Sequence, residues 1–138
     1  MNVSKFIIGS VVVFIVMTGL EFLFHAWFMA ETYAEHAELV RNEADSGSLM
    51  WAMMLGFLIM SFGFCFIFTK GYQGKGCLEG IRYGLYIGVT FGVAGNLINY
   101  AVFPWPGNWV FAWIVYYPIL MMILGAIFAA IYKPAPAK

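Results

Sequence analysis

The sequence predicts an all-α integral membrane protein, a bundle of four transmembrane helices with both termini on one side, and three observations carry that prediction. The chain of 138 residues is 63% hydrophobic and 10% charged, whereas soluble domains are about 45–50% apolar and about 25% charged. Four apolar runs, residues 6–29, 49–69, 81–102 and 109–132, each meet the roughly 20 residues of helix that a bilayer core about 30 Å thick requires. The charges then sort to opposite ends of those runs. Lys5, Lys70, Lys75, Arg82, Lys133 and Lys138 lie in the N-terminus, the middle connection and the C-terminus, while Glu31, Glu35, Glu38, Glu43 and Asp45 share the first connection with Arg41 alone. The positive-inside tendency places both termini and the middle connection in the cytoplasm. One membrane domain, residues 1–138, fills the chain.

Each element follows in order. The first run has Lys5 before it and Thr32-Tyr33-Ala34 after it, as a signal peptide would, but its apolar stretch is longer than a signal core and is read as a retained helix. In the acidic connection, residues 30–48, Glu31, Glu35 and Glu38 recur at i, i+4 and i+7, which predicts helix in the first half with a solvated acidic face. Asp45-Ser46-Gly47-Ser48 then turns the chain, with Ser46 or Ser48 capping the second helix. That helix carries Phe57, Phe62, Phe64, Phe66 and Phe68 beside Met50, Met53, Met54 and Met60. Lipid contact accounts for this surface, and a quinone, carotenoid or other flat apolar ligand also suits it.

Lys70 to Gly76 form a glycine-rich turn into the third helix, where Gly80, Gly84, Gly88 and Gly92 recur every fourth residue. Such a glycine zipper lets a neighbouring helix approach closely, in the same chain or another. Pro104-Trp105-Pro106-Gly107-Asn108 makes a tight hairpin, Pro118 loosens the fourth helix, and residues 133–138 form a non-helical tail. Trp27, Trp51, Trp105, Trp109 and Trp113 form an outer aromatic belt, with Tyr72, Tyr83 and Tyr132 a thinner inner one. Cys65 and Cys77 fall in or beside a reducing compartment, where a disulfide does not persist.

The candidate site is a polar layer beneath the tryptophans. At 1.5 Å per residue, Glu21 and Asn96 both lie about 22 Å from the inner boundary, with His25 and Asn99 one layer further out. Glu21 and His25 share a helix face at i and i+4. An intramembrane glutamate must face the interior or a wet vestibule and hold a partner. Asn96, Asn99, Tyr100, Tyr116 and Tyr117 complete a pocket that either binds a ligand or proton, or joins helices as a structural hydrogen-bond cluster. With His25 and His36 the only histidines, no closed four-ligand zinc site is supplied. A b-type heme between two His25 side chains of a dimer is geometrically conceivable, but the sequence requires no cofactor and no metal. Phosphate loops, nucleophile elbows, zinc-protease signatures and nucleic-acid-binding basic stripes are all missing.

The stretch Thr69-Lys70-Gly71-Tyr72-Gln73-Gly74-Lys75-Gly76, followed by Glu79-Gly80-Ile81-Arg82-Tyr83-Gly84, resembles the middle of small four-helix bacterial membrane proteins of unknown function. Phe24-His25-Ala26-Trp27 through Tyr33 is similar in style. The resemblance implies a four-helix fold in a bacterial inner membrane and transfers no functional residue. The first expectation is a small noncatalytic subunit or stabiliser of a larger assembly, or a homo-oligomer, with the lipid bilayer and other membrane subunits as partners and no nucleic acid. The alternatives are a small transporter or binding protein built on Glu21, His25, Asn96 and Asn99, and a membrane enzyme or carrier of a lipid-soluble redox cofactor.

Overall fold

In the computed structural model, which describes residues 1–133, Asn2 starts the first long helix by accepting a hydrogen bond from the Lys5 amide at 3.2 Å. This helix, α1 (Val3–Phe22), continues without a break into a π-helical segment, Leu23–Phe28. The first connection holds α2 (Ala30–Ala34), a short 3-10 turn (Ala37–Leu39) and α3 (Glu43–Ser48). α4 (Met50–Gly71) leads through a turn to α5 (Cys77–Ile87), a second π-helical segment (Gly88–Val93) and α6 (Ala94–Val102), which together make the third long helix. α7 (Gly107–Ile131) is the fourth. The described residues are all helix and connections, and four helices, Val3–Phe28, Met50–Gly71, Cys77–Val102 and Gly107–Ile131, are long and apolar enough to cross a membrane.

The turn before α5 is built around one carboxylate. Glu79 accepts from the Gln73 amide at 2.6 Å and the Lys75 amide at 2.8 Å, which folds the intervening chain back on itself. That path needs positive φ at Gly74 (82°) and Gly76 (73°), where a Cβ would be strained.

The glycine strip is used within the chain. A Cβ on Gly80 would overlap the Gly125 carbonyl, and one on Gly84 would overlap that of Met121. On Gly88 it would lie 2.5 Å from Pro118 Cα, and on Gly92 it would lie 2.6 Å from Tyr117 Cβ. The third helix thus lies backbone to backbone on α7, where close dispersion contact replaces the hydrophobic drive that lipid does not supply. α1 packs on both α4 and α7, with Val13, Met17, Cys65, Leu120, Leu124 and Phe128 in the shared core.

Both ends of the described chain gather at one end of the molecule. Phe6 meets Phe62 and Phe66 edge-on, and Tyr72 packs on Tyr132. Nearby, the Tyr83 hydroxyl donates to the Phe64 carbonyl at 2.7 Å and ties α5 to α4. Toward the opposite, distal end a cleft separates Met60 of α4 from Phe91, Gly92 and Gly95. Large apolar side chains such as Ile15 (61% exposed), Phe91 (69%) and Phe111 (70%) point outward around the circumference, a surface that calls for an apolar solvent.

The first connection departs from expectation. The chain bends at His36, with φ −132° and ψ 49°, so Glu31, Glu35 and Glu38 do not form one helical stripe. Asp45-Ser46-Gly47-Ser48 is helix rather than turn, because the Asn42 side chain caps α3 through the Asp45 amide at 2.9 Å. Ser46 and Ser48 lie inside α3, and α4 starts with no side-chain cap. The expected tail from Pro134 on, with Lys138, lies outside the described residues.

Candidate functional site

Glu21 sits in the last turn of α1, and His25 sits in the π-helical segment that follows. Each π turn takes in one residue more than an α turn, and such segments recur at functional sites. Glu21 is 5% exposed, and its Oε2 lies 3.2 Å from His25 Nε2. On the other side of the ring, His25 Nδ1 is 2.6 Å from the Tyr33 hydroxyl, and Trp113 Nε1 donates to that same hydroxyl at 3.1 Å. A continuous polar chain therefore runs from a buried carboxylate to α2. Burial, with the nearby Glu21 charge adding a smaller push and the Trp113 donor opposing, raises the Tyr33 hydroxyl from 10.0 to about 12.

Two clefts open on either side of this chain and share His25 and Tyr117 in their walls. One, of about 420 Å³, lies between the third helix and α4 and carries Asn96, Asn99, Trp105 and Trp113. The other, of about 570 Å³, lies between α1 and α4 and carries Glu21, Thr18, Met50, Met53, Met54 and Phe57. Glu21 and the two asparagines, aligned in depth by the sequence, thus stand on different clefts with His25 between them. The Asn96 amide donates to the Gly92 carbonyl at 2.7 Å, within its own helix rather than to Glu21.

Tyr100 and Tyr116 line neither cleft. Tyr100 is 48% exposed, because a fourfold stride drifts in a 3.6-residue helix and eight residues carry Tyr100 about 80° round from Gly92. Tyr116 stacks on Phe24 at 3.7 Å between centroids and meets the His25 ring edge-on at 6.4 Å, while lining a separate groove with Phe28, Phe111 and Ile119. The tryptophan belt also divides. Trp27 and Trp51 are 77% and 68% exposed, but Trp109 and Trp113 are only 1% and 8% exposed. Met29, with Tyr33 and Leu39 of the folded-back first connection, packs against them, and Trp113 forms part of the wall of the smaller cleft.

Tyr33 and Trp113 are the participants that sequence reasoning missed. Eight residues of straight helix separate two side chains by about 12 Å along the axis, so no spacing rule pairs Tyr33 with His25. The change of direction at Met29 does. Among the described residues, no group of three or more His, Cys, Asp or Glu side chains is placed to hold a metal ion. The chain matches no protein-family model, no curated protein and no solved structure, and the geometry of these residues is what speaks for function.

Proposed function

We propose that this is a multi-pass protein of the bacterial inner membrane, a four-helix bundle with both termini cytoplasmic, that binds a small lipid-soluble molecule in its outer half. Lys5, Lys70, Lys75, Arg82 and Lys133 at the end where the termini gather, against the acidic first connection at the other, support that orientation. The observation that carries the binding reading is the junction of two clefts at His25 and Tyr117, beside a polar chain inside an otherwise apolar molecule. Mostly apolar walls with a few convergent polar groups, enclosing about 300–1,000 Å³, are the usual form of a small-molecule site.

The subunit or homo-oligomer reading loses its main support, since α7 already occupies the glycine strip. What favours it still is the distal gap between α4 and the third helix, which a partner's side chains could enter. The enzyme or redox-carrier reading has no residue set of its own and stands or falls on the visible spectrum of the native protein.

Gentle extraction into lipid nanodiscs, followed by mass measurement of the particle and of whatever small molecules it releases on denaturation, separates these. Binding predicts a released lipid-soluble compound that is lost in Ala26→Trp, a substitution that fills the larger cleft from its wall. A stoichiometric foreign chain with no released compound would establish the subunit reading instead.

A further inference from the structure

The direction of the hydrogen bonds around His25 follows from Trp113. An indole N–H only donates, so the Tyr33 oxygen is its acceptor. The single Tyr33 proton then has His25 Nδ1, at 2.6 Å, as its one acceptor. With Nδ1 accepting, the neutral imidazole carries its proton on Nε2 and donates it to Glu21 Oε2. In the opposite sense, with Nδ1–H directed at Tyr33, the tyrosine proton has no acceptor among the described residues. The satisfied arrangement is therefore a one-way donor chain, from Trp113 through Tyr33 and His25, that ends on the carboxylate.

In this arrangement His25 orients Glu21 through one hydrogen bond to Oε2. Glu21 is nine-tenths buried and more, its Oε1 has no hydrogen-bond partner, and among the described residues His25 is the one basic side chain within 4 Å of it. A carboxylate in such a place needs a cation or further donors. Glu21 forms part of the wall of the 570 Å³ cleft, whose remaining surface is mostly apolar and includes Met53, Met54, Phe57 and Tyr117. The flanking Phe22, Met50 and Met53 are 68%, 48% and 46% exposed, so the cleft opens sideways, on the face that lipid would cover.

We propose that this cleft binds a lipid-soluble amine, with its ammonium group paired with the Glu21 carboxylate and its apolar body laid along Met53, Met54 and Phe57. The assignment rests on the binding reading above and adds the chemical class of the ligand. An ammonium supplies N–H donors and a positive charge to a carboxylate whose one side-chain partner among the described residues is His25. Tyr117 and Phe57 offer aromatic faces that suit a cation.

The test compares dodecylamine, dodecanol and dodecanoate, which share one chain and differ in the head, for binding to the full-length protein in nanodiscs at neutral pH, followed by tryptophan fluorescence. The amine is expected to bind about tenfold or more tighter than the alcohol, as a charge-assisted bond would require. Glu21→Gln should erase that preference while leaving alcohol binding in place. Ala26→Trp should weaken both, and because it keeps the carboxylate it serves even where Glu21→Gln fails to fold. Equal binding of amine and alcohol to the wild type, or tighter binding of the carboxylate, overturns the amine assignment and leaves the binding reading standing. Failure of all three to bind removes both.

Discussion

The Tyr33 hydroxyl lies 2.6 Å from His25 Nδ1, and this one bond ties the polar first connection to the interior of the first long helix. Tyr33→Phe keeps the ring that packs edge-on against Trp109 and removes only the oxygen. Both His25 Nδ1 and Trp113 Nε1 then lose their partner, and each buried polar group left unpaired costs about 1–3 kcal/mol. The variant should unfold at distinctly lower denaturant in mixed micelles than the wild type, with a changed Trp113 emission. An unchanged midpoint would show that the hydroxyl bridges nothing of consequence.

The same hydroxyl carries a pH signature. Its ionisation is raised from 10.0 to about 12, mainly by burial, so above pH 10 the unfolded chain loses this proton while the folded protein keeps it. The native state then binds more protons than the unfolded one, and stability falls as pH rises through that window. Titration of phenolate absorbance should show one tyrosine ionising near pH 12 in the wild type and missing from Tyr33→Phe. If the two curves coincide, Tyr33 is not enclosed as described.

Gly84 gives a sharper test of packing than of any site. A Cβ there would overlap the Met121 carbonyl, and a carbonyl on a rigid helix cannot swing aside, whereas a Cβ on Gly63 meets nothing within 4 Å. Gly84→Ala should force the third helix off α7 and cost about 1–3 kcal/mol, the usual range for overpacking. Gly63→Ala should be neutral or slightly stabilising, by up to about 1 kcal/mol from helix propensity. Denaturation of the two variants side by side gives the answer, and equal effects would mean that the strip is not a contact.

How far the residues foretell this structure depends on whether a regular helix connects them. The four long helices, and the pairing of Glu21 with His25 at i and i+4, follow from periodicity and length, and both are found close to where the pattern puts them. Tyr100 does not stay in line with Gly92, because a fourfold stride drifts about 40° per step in a helix of 3.6 residues per turn, and nothing in Gly88–Val93 announces the i→i+5 turns found there. Trp109 and Trp113 look like interface anchors by composition. They are buried because a nineteen-residue polar connection, residues 30–48, folds back over the end of α7, and a fold-back of that kind is decided by tertiary contact rather than by local sequence. Tyr33 escapes notice for the same reason.

Cys77 offers a direct test of orientation with the native side chain. It is exposed at the start of α5, while Cys65 is buried, so a bulky membrane-impermeant maleimide should modify one thiol per chain, and Cys77→Ser should abolish the signal. If the basic connection before α5 faces the cytoplasm, as the distribution of lysine and arginine implies, Cys77 is shielded in intact cells and reacts in inverted vesicles. Ser46→Cys, on the exposed α3 of the acidic connection, should react in the reverse order. The outcome also locates the site, because Glu21 and the clefts lie toward the α3 end. Labelling of Cys77 in intact cells would turn the molecule over, and the methionine-lined cleft would then draw its ligand from the cytoplasmic leaflet.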